Sequence, residues 1–380
     1  MSGIASYWRN AGHLLVAAFV AGCALTACDS AIYDDEGDCS VTYRLEPAYR
    51  KNMKWADAFS SEVSSVHLYA FDREGLLVGT QSEHIGTPAD DYAMTLDLPA
   101  GDYRLVAWCG LDGRESKAGE TPSFTVPEAR IGQTRLEEFC CRLNCTHEAD
   151  GTAVSDKKLL PLYHGTADVS LPTNDDGGVY DYSLELTKNT NHIRVVLQQL
   201  SGDPVDVHDF SFRIEEANGL MKWDNSLAGD ETIVYRPHDL TSGSVGLGID
   251  DYPVAGTVNA PKAAPRAADA SRAITSVGVA IADFTIGRLM VDRSTWLTVE
   301  TTKRNADGTP GETVISAHIP LRDYALLLKD GYNHEFADDQ DYLDRQDEYT
   351  LVFFLDKDYR WIESSIIINS WKYVFNKVDF

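Results

Sequence analysis

The chain has 380 residues and a formal net charge of −26, because 59 Asp and Glu residues outnumber 33 Lys and Arg residues. Nucleic acids bind to clustered Lys and Arg, and anionic lipid headgroups repel an acidic surface. The composition therefore excludes a protein that binds nucleic acid and a protein that docks on lipid headgroups by charge.

Residues 1–27 have the layout of a lipoprotein signal peptide. Arg9 gives a positive start, residues 14–24 are apolar apart from Gly22 and Cys23, and small residues precede Cys28. The apolar stretch is shorter than the roughly 18 to 20 residues that span a bilayer. We therefore predict that residues 1–27 are removed.

Cys28 is the predicted lipidation site, because Leu25-Thr26-Ala27-Cys28 resembles the bacterial lipobox, in which the thiol is acylated before cleavage. Cys23 fits the same pattern and is the alternative, but Cys28 gives the longer apolar region and borders an acidic sequence. An ordinary signal peptide with an incidental cysteine is the simpler alternative. Each buried methylene contributes about 0.8 kcal/mol, so several acyl chains would hold a globular body on a bilayer without a spanning helix.

Residues 28–38 are the predicted acidic tether, with carboxylates at Asp34, Asp35, Glu36 and Asp38. A run of like charges is usually a solvated segment. Acidic residues soon after a lipidated cysteine also resemble the signals that route some lipoproteins to the outer face of the outer membrane. We expect the protein at the outer membrane, exposed at the cell surface.

Residues 39–188 are predicted to form an N-terminal β-sandwich. Short strands separated by turn residues are typical of an antiparallel sandwich, and four segments have strand patterning: 39–45, 63–71, 92–98 and 103–108. Asp72 to Gly75 is a turn signal that closes a hairpin. Residues 110–160 are rich in Gly, Asp, Glu and Ser, which predicts loops with one short helix around 136–143. Strand patterning returns at Leu159.

Residues 189–380 are predicted to form a C-terminal β-sandwich, since a new strand pattern starts directly after the polar segment 188–191. Its strand-like segments are 192–197, 210–214, 276–286, 289–300, 313–321, 349–355 and 362–374. Asn305 to Gly308 is a hairpin turn signal. Residues 260–273 contain only small, polar and charged side chains besides Ala and Pro, which predicts a flexible exposed loop.

The sequence gives no positive sign of an enzyme, since motifs for phosphate binding, zinc peptidases and serine hydrolases are missing. Cys140, Cys141, Cys145 and His147 lack the paired C-x-x-C spacing of zinc sites, so core cysteines are favoured. His334-Glu335 is not followed by the second histidine of a metallopeptidase, and the acidic run 338–348 is predicted to be a solvated loop. The tryptophans at 108, 361 and 371 are predicted to pack in the core. We expect no catalytic residue, metal or cofactor.

Several separated stretches together have a recognisable order and spacing. They are 28–35, 38–39 and 52–57 near the start, 68–72, 98–103 and 106–108 in the first half, and 342–349, 353–356 and 366–371 at the end. In this order they resemble the fimbrillin-associated anchor family, the lipoprotein anchor subunits of type V fimbriae. The insert at 260–273 lies outside that resemblance.

The resemblance implies an all-β protein of two tandem transthyretin-like antiparallel β-sandwich domains, with a non-enzymatic role at the base of a fimbrium. Its expected partners are pilin subunits and, through the acyl chains, the outer membrane. Contact with pilins would use β-augmentation, in which backbone hydrogen bonds join two chains. An anchor that keeps its first strand should have residues 39–45 paired in a sheet.

Two alternatives belong to other functional classes. A surface glycan-binding lipoprotein of a nutrient-uptake system would present an exposed row of coplanar aromatic side chains. A lipoprotein hydrolase would hold two carboxylates about 5 to 10 Å apart in a cleft.

Overall fold

The computed structural model describes residues 41–111, 122–173, 177–199, 201, 203–246, 276–304, 309–356, 358–368 and 371–373. The strands before residue 189 are β1 Val41–Ala48, β2 Ser65–Phe71, β3 Leu77–His84, β4 Met94–Thr95, β5 Gly101–Cys109, β6 Phe124–Thr125, β7 Cys140–Leu143, β8 Thr146–His147, β9 Ala153–Ser155, β10 Tyr163–Leu171, β11 Gly178–Glu185 and β12 Thr187–Lys188. Those after it are β13 Thr190–Gln199, β14 Phe210–Glu216, β15 Leu220–Lys222, β16 Ile233–Tyr235, β17 Asp239–Gly246, β18 Ser276–Gly287, β19 Trp296–Arg304, β20 Pro310–Pro320, β21 Glu348–Leu355, β22 Trp361–Ile368 and β23 Trp371–Tyr373.

Helices are few and short. They are α1 Phe59–Glu62, α2 Leu321–Leu326 and α3 Asp339–Arg345, with single 3-10 turns at Leu136–Glu138, Val207–Asp209 and Lys329–Gly331. In the described part of the chain, no helix has the length and apolar character needed to cross a membrane.

The N-terminal sandwich packs a three-stranded sheet, in the order β11-β1-β4, against a five-stranded sheet, β12-β10-β5-β2-β3. Alternate residues of these strands point inward, as the period of two predicts. Leu45, Leu105 and Leu184 are fully buried in the shared core. Burying each such side chain stabilises the fold by about 1.5–3 kcal/mol.

The C-terminal sandwich packs two six-stranded sheets, β17-β18-β13-β21-β22-β23 and β20-β19-β14-β16-β9-β8. Its core contains Val195, Phe284, Leu297 and Phe353, all fully buried. Most strand pairs are antiparallel, while β1–β11, β13–β21 and β16–β9 are parallel. The predicted all-β fold of two sandwiches is confirmed.

The segment 122–162 connects the two sandwiches, although it lies within the first half of the sequence. Its strand β9 pairs with β16, and β7 pairs with β15. Its side chains also cover the outer face of the five-stranded sheet, where Trp108 and Phe71 belong to the same apolar cluster as the C-terminal core. The chain therefore adds strands from before residue 189 to the C-terminal sheets, and the domain limits 39–188 and 189–380 stay a prediction.

Local predictions differ from the structure in several places. The helix predicted around 136–143 is one 3-10 turn followed by β7, because Cys141 and Leu143 point into the core and β7 pairs with β6 and β15. The strand predicted at 92–98 is only β4, although Met94 and Leu96 are buried as the alternation predicts. The hairpin at Asp72 to Gly75 is confirmed by the pairing of β2 with β3. The predicted loop 260–273 and the predicted turn 305–308 lie outside the described residues.

Candidate anchoring strand and sandwich junction

Strand β1 is the first described element, and it lies in the middle of its sheet. All eight residues pair with β11 in parallel, and Arg44 and Leu45 also pair with β4 on the other side. Tyr43 and Leu45 point into the core, and the Tyr43 hydroxyl donates a 2.6 Å hydrogen bond to the carbonyl oxygen of Pro172. The prediction of a sheet-paired first strand is confirmed from Val41 to Leu45.

The predicted lipidation site, Cys28, and its alternative, Cys23, lie outside the described residues, as do Cys39 and the acidic tether. Thirteen residue steps separate Cys28 from Val41 (41 minus 28). At no more than about 3.6 Å per step, this segment can span at most about 47 Å. A lipid attached at Cys28 would therefore pull on the N-terminal end of β1 through a short connection.

Trp55, from the loop after β1, contacts the C-terminal sandwich through stacking interactions. The Arg345 guanidinium lies 4.2 Å from the indole centroid, and the His334 ring is stacked at 4.7 Å. Phe336 lies 5.8 Å away. Trp55 has a φ of 53°, a left-handed conformation that is unfavourable for a residue with a β-carbon. These contacts offset that strain and join residues far apart in sequence.

Asp344 is the centre of a buried ion-pair network at the same junction. Its carboxylate accepts hydrogen bonds from Arg288 Nε at 2.8 Å and Nη2 at 2.7 Å, and from Lys51 Nζ at 2.9 Å. The Asp344 side chain is only 1% exposed. Burial alone would raise its pKa, but the hydrogen bonds and charge of Arg288, together with Lys51, hold the pKa of Asp344 below its usual value.

Lys188 forms a second bridge between the sandwiches. Its ammonium contacts Asp347 Oδ2 at 2.5 Å and Glu62 Oε2 at 3.4 Å, and Glu62 also accepts a hydrogen bond from the Tyr163 hydroxyl at 3.0 Å. Burial would lower the pKa of Lys188, but Asp347 and Glu62 outweigh burial and raise it. The lysine therefore stays charged and links one carboxylate from each sandwich.

The acidic run 338–348 was predicted to be a solvated loop, and this prediction is wrong. It forms α3, in which Tyr342, Leu343 and Asp344 are buried. Asp338 caps the helix by accepting a hydrogen bond from the Asp341 N–H at 2.8 Å, and Arg345 pairs with Asp341 one turn earlier. The sequence signal for this helix was the capping residue Asp338 followed by the apolar pair Tyr342-Leu343. The many Asp residues of the run favoured the prediction of a solvated loop instead.

The candidate metal ligands have structural partners instead. His334 stacks on Trp55, and His147 Nε2 lies 2.9 Å from Glu231 Oε2. Cys141 is fully buried, and Cys140 and Cys145 are partly buried free thiols. Across the described ranges, no group of three or more His, Cys, Asp or Glu side chains is arranged to hold a metal ion.

A cleft of about 580 Å³ opens beside Lys188 at the junction. His192 and His238 line it with ring centroids 6.4 Å apart, and Asp283 accepts both Arg194 hydrogen bonds while lying 3.2 Å from His192 Nε2. Asp283 thus pairs with Arg194 and His192 as part of the fold, whereas His238 Nε2 is buried without a hydrogen-bond partner among the described residues.

The three tryptophans predicted to lie in the core have different positions. Trp108 is fully buried, and its ring centroid lies 4.5 Å from that of His164, with the two ring planes tilted by 57°. The His164 Nε2 lies 2.8 Å from the Trp223 carbonyl oxygen. Trp361 is partly buried against the core, and Trp371 begins β23. Sequence reasoning missed Trp55, the tryptophan that joins the sandwiches, because nothing in its local sequence shows which distant residues it meets.

Comparison with known proteins gives the family. The sequence model of the family described as fimbrillin-A associated anchor proteins Mfa1 and Mfa2 matches residues 35–377 of this chain. The chain belongs to this family. Membership supports a fimbrial anchor role at the cell surface, and the family is not known for enzymatic activity.

Three comparisons show how far the likeness of this family member extends. The minor fimbrium anchoring subunit Mfa2 of Porphyromonas gingivalis is 22% identical over 216 residues, which are 56% of this chain and 61% of that protein. The chain thus matches about three fifths of the length of that curated relative. The crystal structure of the P. gingivalis fimbrial anchor protein Mfa2 has a TM-score of 0.57 at 16% identity, covering 88% of this chain and 99% of that one, and shows the shared fold. A structure described as an adhesin from Bacteroides thetaiotaomicron has a TM-score of 0.68 at 31% identity, covering 89% and 98% of the two chains.

Proposed function

We propose that this chain is a non-enzymatic, lipid-anchored subunit that attaches a fimbrium to the outer membrane and helps to set the length of the fimbrium. Its contacts with pilin subunits are mediated by β-strands. The lipid is carried by Cys28, with Cys23 as the alternative. The observation that supports this proposal most strongly is the family match over residues 35–377.

The position of β1 supports the anchoring part of the proposal. A lipid at Cys28 would pull β1 from its N-terminal end, and β1 has eight paired residues on one side and two on the other. A pull along the strand loads many hydrogen bonds at the same time. Because β1 already occupies its place in the sheet, that place is closed to a strand from a pilin subunit. An anchor of this kind would end a polymer at the membrane.

The junction supports the transfer of load. A pull on β1 reaches the C-terminal sandwich through Trp55, the Asp344 network and Lys188, besides the apolar core around segment 122–162. Buried, hydrogen-bonded ion pairs fix the geometry of the groups that they join. The two sandwiches can therefore act as one rigid spacer between the envelope and the fimbrium.

Serine substitution tests the tether. In cells that carry the double variant Cys23→Ser/Cys28→Ser, we expect the protein to leave the membrane pellet after a salt wash and the fimbriae to detach into the medium or to lengthen. Single variants identify the modified residue, with Cys28→Ser expected to reproduce the loss and Cys23→Ser expected to behave as wild type. A double variant that remains in the membrane pellet would refute lipid anchoring. Normal fimbrial length and attachment in a deletion strain would refute the anchor function itself.

A further inference from the structure

Lys188, Asp347 and Glu62 form a group of one amine and two carboxylates at the junction of the sandwiches. Lys188 Nζ lies 2.5 Å from Asp347 Oδ2 and 3.4 Å from Glu62 Oε2. A carboxyl carbon lies about 1.2 Å from its oxygens, so Asp347 Cγ is within about 3.7 Å of the Lys188 nitrogen. Reacting atoms in a near-attack arrangement are about 3–3.5 Å apart. The Lys188 nitrogen is therefore close to the position from which an amine attacks a carboxyl carbon.

The backbone holds both of these residues in place. Lys188 belongs to β12, where it pairs with Tyr163 of β10. Asp347 directly precedes β21, and its carbonyl oxygen accepts a 2.7 Å hydrogen bond from the His192 N–H. Groups held in a reactive arrangement can have effective molarities of about 10⁵–10⁸ M. Such values offset the unfavourable equilibrium that an amine and a carboxylic acid have as free molecules in water.

Glu62 is placed to move a proton. Its Oε2 atom accepts a 3.0 Å hydrogen bond from the Tyr163 hydroxyl, which fixes the carboxylate beside Lys188. The buried Tyr163 ring also shelters the amine, since its centroid lies 6.0 Å from Lys188 Nζ. The side chains of Lys188, Glu62 and Asp347 are only 15, 25 and 28% exposed. Because water stabilises charges less in such a site, transfer of a proton from the amine to a carboxylate costs less than at the surface.

A second buried lysine–aspartate pair lacks these features. Lys51 Nζ lies 2.9 Å from Asp344 Oδ2, but the two Asp344 oxygens also accept hydrogen bonds from Arg288. The guanidinium is always charged and keeps the carboxylate ionised. An ionised carboxylate resists attack by an amine. Within the described residues, the cation that pairs with Asp347 is Lys188, which can give up a proton.

We propose that Lys188 and Asp347 join through an isopeptide bond, a side-chain amide that links the two sandwiches covalently. The Nζ–Cγ bond forms, and one Cγ–O bond of Asp347 breaks. Of the three ammonium protons, one stays on the amide nitrogen and two leave with the released oxygen as water. Glu62 takes a proton from the ammonium, which frees the nitrogen lone pair for attack, and passes it to the departing oxygen. The reaction involves no oxidation or reduction and no further reactant.

The ion pair of Lys188 with Asp347 is the state before this reaction. The neutral amine is the minor form beside two carboxylates, but the bond has to form only once in each molecule. The cleft beside Lys188 gives the released water a way out. The amide would join residues 159 positions apart and would carry tension between the sandwiches without relying on hydrogen bonds. This inference goes beyond the proposed anchor function and does not depend on it.

Peptide mapping tests the bond in the full chain, purified in detergent from the cells that produce it, denatured and digested with trypsin. A linked Lys188 is not cut, so peptides 159–194 and 346–357 should appear joined, at the sum of their masses minus one water. Lys188→Arg keeps the charge but cannot form the amide, and it should release peptide 346–357 by itself. Glu62→Gln keeps the shape of the side chain and should lower the yield of the joined species at least tenfold. Lys51→Arg, at the second buried pair, is the matched control and should keep the wild-type yield.

The wild-type digest decides whether the bond exists, even where a variant fails to fold. Free peptides 159–188 and 346–357 without a joined species would overturn the proposal and leave Lys188 in an ion pair. Fragment spectra must place the link at Asp347, because a link at Glu348 or Asp356 of the same peptide would overturn the assignment. A joined species at the wild-type yield in Glu62→Gln would overturn the role of Glu62 in proton transfer.

Discussion

The Trp55 contact allows a sharp test of how the two sandwiches are held together. The substitution Trp55→Ala removes the indole that stacks on His334 and lies under the Arg345 guanidinium. It leaves the backbone of the loop in place. The Asp344 and Lys188 ion pairs are unchanged by it, so the variant isolates the aromatic part of the junction.

The contacts of Trp55 set the expected loss in the free energy of unfolding. An aromatic pair contributes about 0.5–1.5 kcal/mol, and a cation–π contact at a partly exposed site contributes about 0.5–1 kcal/mol. Trp55→Ala should therefore lower the free energy of unfolding by about 1–2.5 kcal/mol. The left-handed backbone of residue 55 costs about 1–2 kcal/mol for any residue with a β-carbon, and glycine avoids that cost. Trp55→Gly should therefore be more stable than Trp55→Ala by about 1 kcal/mol.

Trp296→Ala is the matched control. Trp296 is as exposed as Trp55, at 37% against 38%, and it also stacks on a histidine, His318, at 4.6 Å. However, His318 lies on the neighbouring strand of the same sheet, and no cation–π contact to Trp296 is seen among the described residues. Its loss should cost about 0.5–1 kcal/mol.

Urea unfolding followed by far-UV circular dichroism measures all three variants. Fluorescence would be altered by the loss of a tryptophan itself. Equal losses for Trp55→Ala and Trp296→Ala would refute the importance of the inter-sandwich contact. A Trp55→Gly protein that is no more stable than Trp55→Ala would refute the claim of backbone strain.

Three further predictions concern the junction. Asp344→Asn should lower the free energy of unfolding by about 3–5 kcal/mol, because it leaves the buried Arg288 uncompensated. Asp339→Asn is the control, since Asp339 forms an exposed ion pair with Lys329. This variant should change the free energy of unfolding by less than about 1 kcal/mol in the same denaturation assay. The pKa of Asp344 is lower in the folded chain than its usual 3.8. The contribution of Asp344 to the free energy of unfolding is therefore complete above about pH 3.8 and is lost as the pH falls through the folded pKa. Acid titration followed by circular dichroism should show this loss in wild type and not in Asp344→Asn. A fragment of residues 189–380 should lack cooperative thermal unfolding because β8 and β9 are missing from its sheet, and a sharp transition would instead support residue 189 as a domain boundary.

Local sequence patterns predicted much of the fold. The alternation in β1, the turn at Asp72 to Gly75 and the strand that starts near His192 all appear in the structure. Each of these features depends on side chains a few residues apart, which alternate across a strand or form a turn by themselves. Separated stretches in a fixed order also predicted the family, which the match over residues 35–377 confirms.

The acidic run 338–348 shows where prediction of burial from the local sequence fails. Its charge predicted exposure, yet Asp344 is buried because Arg288 and Lys51 neutralise it from positions distant in the sequence. A carboxylate carries no local sign of a partner 56 residues or more away. The same holds for the segment 122–162, whose short strands become stable only by pairing with β15 and β16.

The sequence by itself determined the class of fold and the family, because strand alternation and the order of short stretches can be read from the chain alone, and it predicts the tether, which stays a prediction. The tertiary structure alone decided that β1 is enclosed between β11 and β4 and that Trp55 and Asp344 join the sandwiches. Strand partners and buried ion pairs are chosen by the packing of distant segments, and no short stretch of sequence contains that information.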